Sequence, residues 1–243
     1  MAPLAAAVPR LDISKGNRFL AALPPADHAL LAPHLRAISL GRGTILHDAG
    51  EPIEHAFFPH SGMVSIVTIM RDGSMVETAS LGRTGVIGAN AALGPGTAVG
   101  RAVVQLPGTA SRLPLGQWQA AAQSSAAIRE LALRYNDLLL AQVQQSVACN
   151  ALHGLEQRLC RWLLQSHDCS EGNTVPLTQE FLGHMLGVRR TSVTIAARLL
   201  QGEGIISYRR GQIHIADRAA LEKSACECYF TIRDQIDKLF LQP

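Results

Sequence analysis

The chain has 243 residues, 47% of them apolar and 17% charged, with a formal net charge of +3. That length suffices for two cores, and the composition excludes a disordered chain. No run approaches the 18 or more apolar residues of a membrane-crossing helix, and MAPLAAAVPR has no basic start ahead of its apolar residues, so the reading is a cytoplasmic protein with a frayed leader.

Residues 17–35, NRFLAALPPADHALLAPHL, read as a short helix, a Pro-Pro break and a second helix. Phe19, Leu20, Leu23, Leu30, Leu31 and Leu35 form its apolar stripe. Between Gly41 and Gly108 lie twelve of the 21 glycines, separated by short alternating segments. Met63 to Met70 and Ser74 to Leu81 flank Arg71-Asp72-Gly73, a hairpin signal. Further strands are expected at residues 39–40, 44–47, 55–58, 102–106 and 111–113, which suggests a small barrel or jelly roll. His47, His55 and His60 fall here without a spacing that predicts convergence, so they are read as surface or core side chains.

Residues 115–123 form a short helix and 126–152 one long helix. On the latter Ile128, Leu131, Tyr135, Leu138 and Gln142 step at three and four residues, widened by Leu139 and Ser146. A helix of about 25 residues extends about 40 Å and calls for a partner. That partner is either a second copy, with these five residues as the dimer seam, or the rest of the same subunit. Gly154 reads as a hinge, residues 155–168 as a helix burying Leu155, Leu159, Trp162 and Leu163, and 170–173 as a loop into Pro176.

Thr178 to Gln201 then reads as two short helices around a tight turn. Leu182, Leu186, Val188, Val193 and Ala196 are the buried positions, Gly183 permits close approach, and Gly187 permits a left-handed turn. Thr178 is an N-cap beside Gln179. Arg189, Arg190, Thr191, Ser192, Thr194 and Arg198 supply cations and hydroxyls to the second helix, a face suited to a DNA major groove. An amphipathic hairpin with a solvated basic face has the same pattern. Gly202 and Gly204 end the helix, and residues 205–208 and 212–215 form a wing around Arg209, Arg210 and Gly211. From Gly187 to Ile215 five arginines face one acid, Glu203, a local charge of +4 in a chain of +3. Asp217 caps a last helix from Arg218 to about Leu241, which packs back on the body.

The five cysteines, Cys149, Cys160, Cys169, Cys226 and Cys228, lack repeated CxxC spacing and are expected reduced. Cys226 and Cys228, two apart on a helix, point to different faces and cannot readily share a metal. Cys149 or Cys160 is a candidate redox sensor. With no phosphate-cradling loop followed by Lys, no paired histidines and no GxSxG elbow, neither catalytic residues nor a metal site are expected.

The stretch LTQEFLGHMLGVRRTSVTIAARLLQGEGIISYRRGQIHI resembles the winged helix-turn-helix of the cyclic-AMP-receptor/FNR (Crp/Fnr) superfamily of bacterial transcription regulators. The resemblance implies an α+β chain in three parts: helices and a cyclic-nucleotide-binding-like β-roll over 1–125, a dimerisation helix over 126–153, and a winged helix-turn-helix with a C-terminal helix over 154–243. It implies a homodimer on an inverted-repeat operator in double-stranded DNA, RNA polymerase as a further partner, an unknown small-molecule effector and no cofactor. An FNR-type N-terminal iron–sulfur cluster is not expected, because the first cysteine is Cys149. The family's recognition Arg falls on Arg190, but the Glu after it is Thr191 and the second base-reading Arg is Ile195, so the operator sequence does not carry over. In members that hold cyclic AMP a Gly-Glu pair and an Arg-Ser pair grip the nucleotide; here they fall on Gly88, Ala89, Gly100 and Arg101. The expectation is that cyclic AMP is not the effector, and that the roll holds another ligand, such as an anion near Asn90 and Arg101, or none. The alternative function is a cyclic-nucleotide-type sensor acting through protein contacts.

Overall fold

The computed structural model describes residues 16–170 and 172–241; the frayed leader expected at residues 1–10 lies outside them. Seven strands make the N-terminal roll: β1 (Arg36–Leu40), β2 (Ile45–His47), β3 (His55–Pro59), β4 (Met63–Ile69), β5 (Met75–Leu81), β6 (Arg101–Leu106) and β7 (Gly108–Pro114). They pair antiparallel in two sheets, β1-β7-β3 and β2-β6-β4-β5. The Asp-Gly turn joins β4 to β5 with Gly73 at φ 83°, and the Asp72 carboxylate accepts the Ser74 backbone N–H at 2.9 Å. The expected strands are all present; those expected at 39–40, 55–58, 102–106 and 111–113 are longer than the sequence suggested, and the other three are shorter by one residue at an end.

Helices α1 (Arg18–Ala21) and α2 (Pro25–Leu31) close one end of the roll. Asn17 ties α1 in place. Its side-chain oxygen accepts from the Leu20 N–H, and its amide donates to the Pro59 and Gly85 carbonyls, both at 2.9 Å. Leu30, assigned to the buried stripe by spacing, is instead 44% exposed. Helices α3 (Leu115–Ser124) and α4 (Ala126–Leu152) follow. Phe19, Phe58, Trp118 and Tyr135 meet at centroid distances of 5.6 to 6.0 Å, largely edge to face, so α1, β3, α3 and α4 share one aromatic core.

That core corrects the expected dimer seam. Ile128, Leu131, Tyr135 and Gln142 are buried within the subunit, and Leu138 packs against the same cluster. The helix spends this stripe on its own domain. Its outward large apolar residues are Leu133, Leu140, Val147 and, at its end, Leu152, 52%, 57%, 64% and 79% exposed; the first three keep an unbroken spacing of seven.

After Gly154 come α5 (Leu155–Asp168), β8 (Thr174–Val175), α6 (Gln179–Leu186), α7 (Arg190–Gly202), β9 (Ile206–Arg209), β10 (Gln212–Ile215), α8 (Arg218–Ser224) and α9 (Cys228–Leu241). Strand β8, read from the sequence as part of the approach to Pro176, joins the wing in the order β8-β10-β9. The last helix is two helices. Ala225 is extended at φ −80°, ψ 155°, so the premise that Cys226 and Cys228 diverge on one helix fails; both are buried against Cys149. Helix α9 does return to the body: Arg18 pairs with Asp237 at 2.9 Å, and Leu239 enters the aromatic core.

The C-terminal domain is fused to the roll. One apolar cluster unites Met63, Val67 and Leu106 with Leu159, Trp162, Leu182 and Met185. At its edge Glu77 of β5 is buried, accepting hydrogen bonds from the Trp162 indole N–H at 3.0 Å and from the Ser65 hydroxyl. Burial outweighs both hydrogen bonds and the nearby Arg161 charge, raising its carboxyl to about 7. The folded protein therefore keeps a proton that the unfolded chain has released. The contribution of Glu77 to stability is fullest below about pH 4.5 and is lost as pH rises through about 7, by up to about 3 kcal/mol. Glu77→Gln, neutral throughout, should flatten this dependence and be the more stable protein at pH 8; urea midpoints across pH 5 to 8 measure it, and parallel curves for the two proteins would contradict it.

Candidate nucleic-acid interface

Thr178 caps α6, its hydroxyl accepting the Phe181 N–H at 3.2 Å. Gly187 ends that helix at φ 64°, as the turn requires. A Cβ on Gly183 would sit 2.9 Å from the Val188 carbonyl oxygen, so the close approach is to the turn itself. Leu182, Leu186, Val193 and Ala196 are buried between the helices and Val188 is half-buried. Thr194 donates to the Gln179 side-chain oxygen at 2.7 Å, which fixes both side chains across the two helices. Those two residues and Ser192 are half-buried and position the motif, whereas Arg189, Arg190, Thr191 and Arg198 stand exposed. Beside them Ile195 and Leu199 are 63% and 52% exposed, an apolar element of this face suited to thymine methyls.

In the wing Gln212 pairs with Arg209, leaving Arg210 and Gly211 as a two-residue loop with φ of 49° and 75°. Positive φ at both positions is the primed turn that suits a twisted hairpin. A left-handed arginine costs about 1 to 2 kcal/mol, so this side chain is held at the tip at the expense of local stability. Among the described residues none of the five arginines has an acidic partner. Their charge is available to phosphates.

The interface is not independent of the roll. Gly187 faces Val76 of β5, Arg42 lies over the Phe181 ring at 5.6 Å, and the Gln105 amide donates to Met185 Sδ at 3.3 Å.

Between the roll and α4 is a cavity of about 400 Å³, lined by Ile53, Ile66, Leu81, Val86, Ala89 and Asn90 from the roll and by Asn136, Leu139, Leu140 and Val143 from the helix, among others. Asn90 lines it. Arg101 does not: its guanidinium grips Asp48 through two hydrogen bonds of 3.1 and 2.5 Å, and it is not among the lining residues. The expected anion pocket is therefore corrected to a mainly apolar one. His47 lines its edge, its pKa lowered chiefly by burial; His60 bonds Ser111 at 2.8 Å, and none of His47, His55 and His60 belongs to a metal-ligating group among the described residues. Of the two candidate redox thiols, Cys160 is buried and pushed up to about 12, chiefly by desolvation, which removes its reactivity at neutral pH. Cys149 is also buried, its pKa lowered first by its contact with Cys226.

The sequence reading missed Leu133, Leu140 and Val147, and the cavity wall on α4. Their spacing of seven was visible, but the buried stripe has the same period.

A family model for a cyclic nucleotide-binding domain matches residues 37–125, and one for a Crp-like helix-turn-helix domain matches residues 157–224. No curated protein sequence matches. Among solved structures, FixK2 from Bradyrhizobium japonicum is similar over 79% of this chain and 98% of its own, at 17% identity and a TM-score of 0.66. TTHA1359, a CRP/FNR-family transcriptional regulator from Thermus thermophilus, is similar over 78% and 98%, at 20% and 0.64. CLP, the c-di-GMP-responsive global regulator of Xanthomonas campestris, is similar over 80% and 100%, at 16% and 0.61. At these identities the likeness is one of fold. No helix among the described residues is long and apolar enough to cross a membrane.

The roll keeps the glycine at Gly88 but departs from a nucleotide grip at the other three matched positions. Ala89 offers no acceptor for a ribose hydroxyl. At Gly100 even a Cβ would lie 3.0 Å from Ile66 Cγ2 and 3.2 Å from the Val67 carbonyl, and Arg101 is held by Asp48. A cyclic phosphate there would lack a counter-charge. Calorimetric titration with cyclic AMP and cyclic GMP should show no saturable binding below about 100 μM, roughly 5.5 kcal/mol of affinity; a saturable isotherm in that range would overturn the reading.

Proposed function

We propose that this chain, a member of the Crp/Fnr superfamily of transcription regulators, acts as a homodimer that reads an inverted-repeat operator under the control of an apolar effector. The observation that carries DNA binding is the unpaired charge of Arg189, Arg190, Arg198, Arg209 and Arg210 around a helix whose outer face also offers Thr191, Ile195 and Leu199. A basic protein-docking module would need neither the exposed thymine-type contacts nor a strained wing tip. This favours DNA over the alternative of a sensor acting only through protein contacts. RNA polymerase remains a partner of this reading through the family resemblance alone.

Dimerisation rests on Leu133, Leu140 and Val147. Three large apolar side chains at heptad spacing along a 27-residue helix form a seam that a second copy completes. A two-fold pair then presents two recognition helices to half-sites about 10 base pairs apart, centre to centre. Leu140 both stands on the seam and lines the cavity. A small, mainly apolar ligand there would press directly on the dimer contact.

With an operator selected from a random DNA pool, Arg190→Ala should lose about 1 to 3 kcal/mol and relax discrimination at one position. Arg209→Ala should weaken all sequences alike and lower the salt slope by about one. Normal binding by Arg190→Ala would refute the groove assignment.

Leu140→Glu should give a monomer in sedimentation at concentrations where the parent is dimeric, with operator affinity down on the order of 100-fold. Leu138→Glu should instead destabilise the subunit. A dimeric Leu140→Glu would rule out the seam.

A further inference from the structure

The break between α8 and α9 brings two cysteines onto the end of the long helix. Cys149 lies in the last turn of α4, and His153 is its C-cap. Cys226 and Cys228 flank Glu227 in the break. The four donor atoms all lie within 4.8 Å of one another. Cys149 Sγ is 3.5 Å from Cys226 Sγ, and Cys228 Sγ is 3.5 Å from His153 Nδ1. A tetrahedral ion with bonds of about 2.3 Å to sulfur and about 2.0 Å to nitrogen has ligand–ligand edges of about 3.5 to 3.8 Å. Two of the six edges are already 3.5 Å, and none exceeds 4.8 Å, so small side-chain shifts would close the cluster on an ion. It is too small to enclose an iron–sulfur core.

The surroundings are those of a ligand set. His153 Nε2 lies 3.2 Å from a Glu227 carboxylate oxygen, which holds the ring with Nδ1 toward the thiols, as outer-shell carboxylates do behind metal-bound histidines. The Gln145 amide donates to Cys228 Sγ at 3.0 Å. Three thiolates around a divalent cation leave a charge of −1, and the buried guanidiniums of Arg158 and Arg161 on α5 stand near enough to offset it. Buried cysteines also pack as plain apolar side chains, but that role needs neither the histidine nor the carboxylate behind it.

We propose that Cys149, His153, Cys226 and Cys228 form a closed Cys3His site for one thiophilic tetrahedral cation of the zinc class. Binding releases three thiol protons to solvent as the ion enters. The bound ion fastens the end of the dimer helix, just before the Gly154 hinge, to the segment that follows the wing. It thereby fixes the DNA-binding domain relative to α4.

The test uses the full chain, purified reduced, stripped with a chelator and titrated with cobalt(II). One cobalt per chain should bind with thiolate charge-transfer absorption and the intense visible bands of a tetrahedral ion, and one equivalent of zinc should bleach them. Cys226→Ser and Cys228→Ser should lose the spectrum, and Cys160→Ser should keep it. Glu227→Gln, at an exposed position, should lower affinity about 10- to 100-fold; it and His153→Ala serve if the cysteine variants do not fold. No stoichiometric cobalt in the parent chain, or a spectrum unchanged in Cys226→Ser or His153→Ala, would overturn the site.

Discussion

The arrangement of this molecule depends on one apolar core that two domains share. Met63, Val67 and Leu106 from the four-stranded sheet interleave with Trp162, Leu182 and Met185 from the helical domain, so neither surface is complete without the other. Burial of this kind is the dominant favourable term in domain association. It also forces Glu77 out of water beside Trp162, and a carboxyl so placed is comfortable only when neutral or hydrogen-bonded. The polar link fixes register within an interface whose strength is apolar.

The long helix is the second constraint. One face supplies Ile128, Tyr135 and Gln142 to its own subunit, and the other leaves Leu133, Leu140 and Val147 outside. Its middle forms a wall of the roll cavity and its end leads into Gly154 and α5. A change in side-chain packing at the cavity thus has a short mechanical route to both the proposed seam and the helix-turn-helix domain, because close-packed interfaces shift between discrete arrangements more readily than they deform.

The helix-turn-helix and wing were legible in the sequence because their determinants are local: a capping Thr178, a left-handed Gly187, and arginines clustered within one short segment. The β-roll was legible from alternation and the Asp-Gly turn. The proposed seam was not, since residues 128, 135 and 142 repeat at the same interval as 133, 140 and 147, and only packing against α1 and α3 decides which stripe is inside. The role of Arg101 was lost because its partner Asp48 is distant in sequence. The break after Ser224 carries neither Gly nor Pro, so nothing local announced that Cys226 and Cys228 turn toward Cys149. Nor does any local pattern disclose that Val76 lies against the turn at Gly187.

The chain contains two tryptophans, and the fold puts them in different electrostatic settings. Trp118 sits among aromatic rings within the N-terminal core, while Trp162 donates to Glu77 where the domains meet. Indole emission responds to nearby charge and to water. The protein therefore carries its own pair of optical probes, Trp162 sensing the junction and Trp118 serving as an internal reference, so that separation of the domains registers without any attached label.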